Sequence, residues 1–522
     1  MLFRSQPAAG LWLVLALLFS TLFCLSQGVA RAQEEMLHKD APPSFVEAAP
    51  QVNGTWETLS VMMPFNPIHM ALMYTGKVLV IGGSGNDATN QIFEAGVWDP
   101  VSQTMSTFRL DWDMFCNGMT ILPDGKPFVL GGTQKYDVAA PAGLFWGSKN
   151  TALFDPATEK FTNGPDMSGG RWYPTATLLG NGLVMVLAGE ASKGGTNIKV
   201  EMGDGKSWTT VGQAFGAIQY YPREHLLPDG AVFEDGPNPD SQMFDPVTHR
   251  WTFVAKTNLG QWRAYGSSVL LPLTPATGYK PKVMILGGGN DLPPGAATNT
   301  TELIDLSVPA PKWITGPAMV GARIQLNATI LPTGKVLVSG GSAVNEDPAT
   351  AVLQAELYDP VANAFTSAST MHFARLYHSN ALLLPDATVM AVGSNPVRGR
   401  ATFEPRIEVY KPAYLFDSTG KPAKRPVIAS LSSSTMKYGT TFQINTPDAA
   451  TIKSVVLVRP GSVTHAFDSD QRLVGLAFTV KPGQLQATVP SNSNLAPPGY
   501  YLLFLVNAQG VPSVGPFVHL GS

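Results

Sequence analysis

Five residues of this 522-residue chain could together hold a redox metal: Cys116, Tyr173, the adjacent pair Tyr377 and His378, and His465. One thiol, two phenols and two imidazoles are a mononuclear copper site in outline. Nitrogen and phenolate oxygen donors suit Cu(II) in a tetragonal arrangement, whereas a structural zinc site calls for three or four Cys and His ligands at short spacing. No such short spacing exists here. The five are scattered from residue 116 to residue 465, so they make a site only if the fold gathers distant segments.

A repeated unit running from about residue 60 to 415 supplies such a fold. Its core is a turn, a short β-rich run and a paired glycine, seen in Thr75–Gly83, Pro123–Gly132 and Pro332–Gly341. Weaker copies are Gly180–Gly189, Pro228–Gly230 and Pro385–Gly393, and a further copy, interrupted by an insertion, resumes at Val283–Gly288. Six of the seven are followed by an aromatic-Asp-Pro turn or a relic of one: Trp98-Asp99-Pro100, Phe154-Asp155-Pro156, Phe244-Asp245-Pro246, Tyr358-Asp359-Pro360, then Ile304-Asp305 and Tyr410-Lys411-Pro412. Seven copies at roughly fifty residues each match the kelch period, and four short strands per copy closed in a ring make a seven-bladed β-propeller. The expected class is all-β, with the kelch-type propeller over residues 56–424. Beyond Pro422 and Pro426 the repeat stops and short apolar-polar alternations take over, which predicts an immunoglobulin-like β-sandwich over 425–522. Residues 33–55 are too few for a further domain and are expected to be a tail or strand joining the propeller's outer edge.

The repeat phase brings the candidates together. Cys116 precedes Gly125 by nine positions, Tyr173 precedes Gly182 by nine, and His378 precedes Ala387, the counterpart of those glycines, by nine. Equal phase in different blades means convergence on one axis, where propeller sites usually lie. Tyr377 and His378, being neighbours, can both face a metal only from a loop or strand end, because neighbours within a strand point to opposite faces. His465 lies on an expected sandwich loop, and nothing in its spacing brings it to the axis.

Composition narrows the function classes. A net charge of -3 and a charged fraction of 14% give no basic field for nucleic acid and no polybasic face for lipid. With Gly 51 and Pro 43 the chain is turn-rich, while its apolar content is that of a globular protein. Residues 1–32 carry Arg4, an apolar stretch from Leu11 to about Cys24, and Ala30-Arg31-Ala32, the layout of a cleaved signal peptide; a retained anchor is the alternative. Export would remove Cys24 and leave a secreted or periplasmic chain without a disulfide, stabilised by a large core and with no membrane span. Nothing in the sequence calls for an oligomer, and a monomer is expected. There is no His-Glu-x-x-His, no Gly-x-Ser-x-Gly and no phosphate-cradling glycine loop.

Several motifs carry a resemblance: Arg171-Trp-Tyr-Pro174, Arg375-Leu-Tyr-His-Ser379 followed by Leu382–Asp386, Val463–Phe467 with Asp470-Gln-Arg472, and Pro498–Leu503. On kelch blades with a sandwich behind, this set resembles the copper radical oxidases, the galactose oxidase and glyoxal oxidase group, over nearly all of the chain after its signal segment. The resemblance implies a thioether-linked cofactor made from Cys116 and Tyr173, with Tyr173 a copper ligand and the seat of a radical. It implies His378 and His465 as imidazole ligands and Tyr377 as the axial phenolate and general base. Substrate hydrogen would be abstracted by the radical, and two electrons would pass to O2 to give hydrogen peroxide. No organic cofactor is required.

Two departures bear on substrate. The tryptophan that galactose oxidase stacks on its cross-linked tyrosine, about eighteen residues further on, corresponds here to Ala191. Trp262 is therefore the candidate stacking group, with Trp172 behind it. The carbohydrate-binding domain that galactose oxidase carries at its N-terminus has no counterpart. Both departures favour a small aldehyde or primary alcohol, with a sugar or polysaccharide alcohol as the second reading and a non-catalytic kelch binding protein as a third. The other histidines, His38, His69, His225, His249, His372 and His519, are expected at the surface or in structural roles.

Overall fold

The computed structural model describes residues 49–137, 144–216, 218, 220–290, 295–396 and 402–521. The expected signal peptide and the first part of the expected tail, residues 33–48, lie outside the described residues. Among those described, no helix is long and apolar enough to cross a membrane, and Cys116 is a free, buried thiol.

Seven antiparallel sheets make the blades, numbered I to VII in chain order. The innermost strands of I to VII are His69–Leu72, Gly118–Ile121, Thr175–Leu178, Glu224–Leu226, Ser267–Leu270, Ile324–Ile330 and Asn380–Leu383. They are buried along their whole length, because each packs between neighbouring blades and the axis. The outermost strand of blade VII comes from the other end of the chain: Thr55–Met62 pairs antiparallel with Arg406–Lys411. Both ends of the propeller are thus hydrogen-bonded into one sheet, which leaves no gap in the ring.

The repeat motifs have local physical causes. In the aromatic-Asp-Pro turns the aspartate Oδ1 accepts backbone N–H groups two and three residues on, as Asp99 does from Val101 and Ser102 and Asp359 from Val361 and Ala362. This side-chain-closed turn joins the third and fourth strands. The preceding aromatics Trp98, Phe154, Phe244 and Tyr358 are buried between blades. The glycine doublet serves close approach at the other end of the strand. A Cβ on Gly340 (φ 68°) would sit 2.7 Å from the carbonyl oxygen of Arg375 in the next blade, so a side chain there would push the blades apart.

Buried ion pairs brace the loops that precede the inner strands. Arg171–Glu201 (2.7 Å), Arg263–Glu302 (2.9 Å), Arg323–Glu356 (2.7 Å) and Arg375–Glu408 (2.7 Å) each tie such a loop to the third strand of its own blade, and in blade IV Arg223–Asp235 (3.2 Å) ties it to the residue that follows the second strand, Val232–Glu234. Further guanidinium hydrogens go to backbone carbonyls, for example those of Arg375 to Gly393 and Arg406. Pairing with a carboxylate and with carbonyls is what makes a buried charge tolerable.

The C-terminal strands form one sheet that folds over itself into a sandwich. Its longest strand, Arg472–Lys481, pairs with Ile452–Arg459 through residues 472–476 and with Gln484–Thr488 through residues 477–481, so it passes from one layer to the other. Phe442, Ile444, Val455, Leu457, Leu485, Tyr501 and Leu503 fill the space between the layers.

Candidate metal centre

The loops entering the inner strands share an unusual backbone. Cys116 (φ 59°), Tyr173 (φ 66°), Tyr221 (φ 48°), Tyr265 (φ 46°), Gln325 (φ 65°) and His378 (φ 62°) are all left-handed. For bulky residues this conformation costs about 1–3 kcal/mol and persists only where surrounding structure enforces it. The enforcing structure is the buried arginine two or three residues earlier in the Tyr173, Tyr265, Gln325 and His378 loops. The left-handed step turns each of these residues out of its strand's alternation, around the axis.

His465 arrives from the sandwich. Ser462–Thr464 pairs antiparallel with the inner strand of blade I (Met70 opposite Val463, Ala71 opposite Ser462), and Phe467–Asp468 pairs back on it. Blade I therefore gains two strands, and His465 (φ 47°) lies at the tip of the hairpin in the channel. The neck is pinned on three sides. Asp470 accepts from Thr120 and from the Ile121 N–H of blade II, Gln471 exchanges hydrogen bonds with Ala328 and Ile330 of blade VI, and Arg472 donates to Leu226 of blade IV.

The five donors meet there. One sulfur or nitrogen atom from each of Cys116, His378 and His465 lies within 4.8 Å of the others, with Cys116 Sγ 3.8 Å from His465 Nε2. The hydroxyls of Tyr173 and Tyr377 are in direct contact, and the Tyr173 and Tyr377 rings lie edge-on to His465 at 4.6 and 5.3 Å. The inner strand of blade VII begins at Asn380, so Tyr377 and His378 both precede it, and their rings stack at 3.7 Å.

Both imidazoles are held in one tautomer. His378 Nδ1 lies 2.5 Å from Asn395 Oδ1, whose amide is oriented by donating to Thr402 O and accepting from Asn66. His465 Nδ1 lies 2.6 Å from Thr464 Oγ1, which donates to Ile68 O. A proton on each Nδ1 leaves each Nε2 with a free lone pair, and His378 Nε2 is buried with no hydrogen-bond partner. Outer hydrogen bonds of this type orient metal-binding histidines. Burial pushes His378 down to about 3 and His465 well below the usual range, the latter helped by His378. Burial also pushes the Cys116 thiol and the Tyr173 and Tyr377 phenols well up. The cavity thus keeps its imidazoles neutral and penalises phenolate until a cation arrives, and this donor set fits copper. Asn395→Ala is expected to lower copper affinity about 10- to 100-fold in a titration of the metal-free protein. An unchanged affinity would mean the Asn395 contact does not orient His378.

The ring on Tyr173 is Trp172, not Trp262. Trp172 stacks on Tyr173 at 3.9 Å and 6°, and Phe145 covers the far face of Trp172 at 4.0 Å and 5°. The left-handed backbone at Tyr173 lets adjacent rings lie face to face, which an extended strand forbids. Trp262 is half-buried in a different blade, and no ring contact joins it to Tyr173 among the described residues. Three further residues complete the ring of loops. Tyr221 lies 4.4 Å from Tyr173 and 4.7 Å from His465, Tyr265 lies 5.4 Å from Tyr377, and Gln325 holds Asn345. Tyr221 and Gln325 precede Gly230 and Gly334 by nine positions, so the phase that marked Cys116 also marks them. His69 is fully buried 6.0 Å from His465, and neither of its nitrogens has a partner.

Residues 92–414 match the family model described as glyoxal oxidase N-terminus, and residues 425–520 match the galactose oxidase-like early set domain. The chain belongs to the glyoxal oxidase family. It is a member of the copper radical oxidases. It is 28% identical over 506 residues to a galactose oxidase of Gibberella zeae, covering 90% of this chain and 71% of that protein. It is 27% identical over 537 residues to the aldehyde oxidase GLOX of Vitis pseudoreticulata, covering 91% of this chain and 98% of that protein. Among solved structures, a fungal alcohol oxidase in complex with copper superposes with a TM-score of 0.79 at 26% identity, covering 90% of this chain and all of that one.

Proposed function

We propose that this copper radical oxidase converts a small aldehyde hydrate or primary alcohol and O2 to the oxidised product and hydrogen peroxide, using a Cys116–Tyr173 thioether. The observation that carries this reading is the meeting of Cys116, Tyr173, Tyr377, His378 and His465 at one point, with both histidine Nδ1 atoms already engaged. His378 and His465 would hold the metal through Nε2, and the oxygens of Tyr173 and Tyr377 would complete the set. Copper supplies Lewis acidity and a one-electron couple when bound. Tyr377 Oη takes the proton of the substrate hydroxyl as general base. The Tyr173 ring, joined to Cys116 sulfur, takes the hydrogen atom from the adjacent carbon. Trp172, buried and itself covered by Phe145, keeps water from that ring's face. Export, expected from residues 1–32, belongs to the same reading, which has the protein act on small molecules outside the cell.

The aldehyde oxidase of Vitis pseudoreticulata is matched over nearly its whole length, which supports small aldehydes over sugars. The test is a peroxide-release assay with a small dialdehyde, an aliphatic primary alcohol and galactose, using copper-loaded wild type and Tyr377→Phe. Wild type should turn over the dialdehyde fastest, and the variant should be slower by about 10²- to 10⁴-fold. Turnover of galactose alone would move the substrate class to sugars.

A further inference from the structure

Cys116 is held by a different device from its counterparts. The loops that carry Tyr173, Tyr265, Gln325 and His378 are each braced by an arginine two or three residues earlier, but residues 110–115 contain none. Three residues before Cys116, where Arg375 stands before His378, is Asp113, 6% exposed. Its Oδ1 accepts the Phe115 N–H at 3.0 Å, an ordinary side-chain turn, and also the Ser84 N–H at 2.8 Å, from the neighbouring blade I. The second contact has no part in a local turn. The approach there is close, since a Cβ on Gly83 (φ 57°) would sit 2.5 Å from both Asp113 Oδ1 and the Phe115 nitrogen.

Ser84 directly follows Val78–Gly83, the second strand of blade I, which pairs with the inner strand His69–Leu72. The other edge of that inner strand pairs with Ser462–Thr464, the strand that delivers His465. One carboxylate therefore ties the Cys116 loop to the sheet that carries His465. On its other side the loop meets Tyr173, whose N–H donates to Cys116 O at 2.9 Å.

We propose that Asp113 is a positioning residue for thioether formation, holding Cys116 sulfur in register with Tyr173 by anchoring its loop to blade I. The proposal rests on the radical reading above. In the step it serves, a C–S bond forms between Cys116 Sγ and a ring carbon of Tyr173 while the S–H bond and that carbon's C–H bond break, and the two electrons and two protons released reduce O2 to hydrogen peroxide. A misplacement of about 1 Å costs a reaction between held groups about 10²-fold. None of the four proposed copper ligands lies on this loop, so Asp113 serves the sulfur and not the metal.

The test adds copper in air to the metal-free protein and follows the Cys116–Tyr173 cross-link over time by peptide mass spectrometry, beside copper titration without O2 and thermal unfolding. Asp113→Ser keeps an oxygen for the Phe115 N–H but is too short to hold Ser84 as well, whereas Asp113→Asn keeps an oxygen for both. Asp113→Ser is expected to cross-link about tenfold or more slowly, with copper affinity changed by less than the roughly 10-fold that loss of a ligand's outer hydrogen bond brings. Asp113→Asn should recover most of the rate. Gly83→Ala, which wedges the same contact from blade I with the carboxylate in place, should be slow too. Wild-type rates in Asp113→Ser and Gly83→Ala, or slowing matched by an equal loss of copper affinity and not relieved in Asp113→Asn, would overturn the positioning role and leave the oxidase reading intact. A wild type that forms no cross-link would overturn both.

Discussion

His465→Ala should abolish peroxide release and weaken copper binding by well over the roughly 100-fold that loss of an outer hydrogen-bond partner brings, while leaving the fold in place. The imidazole is the one proposed ligand that comes from the sandwich, and its Nε2 faces Cys116 sulfur across 3.8 Å. The hairpin that delivers it does not depend on the ring. Ser462–Thr464 keeps its pairing with blade I, Asp470 its hydrogen bonds to Thr120 and Ile121, and Gln471 its hold on blade VI. Asp468 accepts the N–H groups of Ser462, Asp470 and Gln471 and closes the neck by itself. Copper titration of the metal-free variant, read beside thermal unfolding, separates the two effects. Full copper affinity in the variant would mean that the hairpin fills the channel without serving the metal.

The second large effect is on stability. Glu408→Gln removes the carboxylate charge from Arg375, which is fully buried, and is expected to cost about 3–5 kcal/mol with a fall in Tm of several degrees. The loss should reach the site as well. Arg375 and Glu408 fix the loop that turns into Tyr377 and His378, and Glu408 also accepts the His372 N–H at 2.7 Å. The exposed pair Lys126–Asp124 is the control, where Asp124→Asn should cost less than about 1 kcal/mol. Replacing both partners, as Arg375→Met with Glu408→Leu, should recover much of the stability because no unpaired charge remains. Equal losses in the buried and exposed single variants would show that the buried pairs do not brace the loops.

Much of this centre was legible in the sequence, for reasons that also mark where legibility stopped. A propeller repeats one geometry around an axis, so a residue's distance from its turn glycine fixes its place in the ring. That is why Cys116, Tyr173 and His378 could be placed together from residues far apart. Tyr221 and Gln325 carried the same nine-residue signal, and Arg263-Ala-Tyr265 and Arg323-Ile-Gln325 repeat the arginine that precedes Tyr173. A phenol or amide alone does not suggest a metal, and in blade V the insertion around Thr274–Lys280 displaces the turn glycine. His465 followed no phase, because it enters by strand pairing between segments nearly the whole propeller apart, and such pairing leaves no local pattern. The stacking ring was misplaced for a backbone reason. A left-handed tyrosine is rare, so nothing in Arg171-Trp-Tyr-Pro174 announces that adjacent rings fold face to face.

The covalent state of Cys116 tests the central claim most directly. The protein is loaded with copper in air, digested, and its peptides are mapped by mass spectrometry. The account predicts a Cys116 peptide joined to the Tyr173 peptide with the loss of two hydrogens, one from the thiol and one from the ring, their electrons taken by O2. A Cys116 thiol that remains free and alkylatable after copper loading would contradict it.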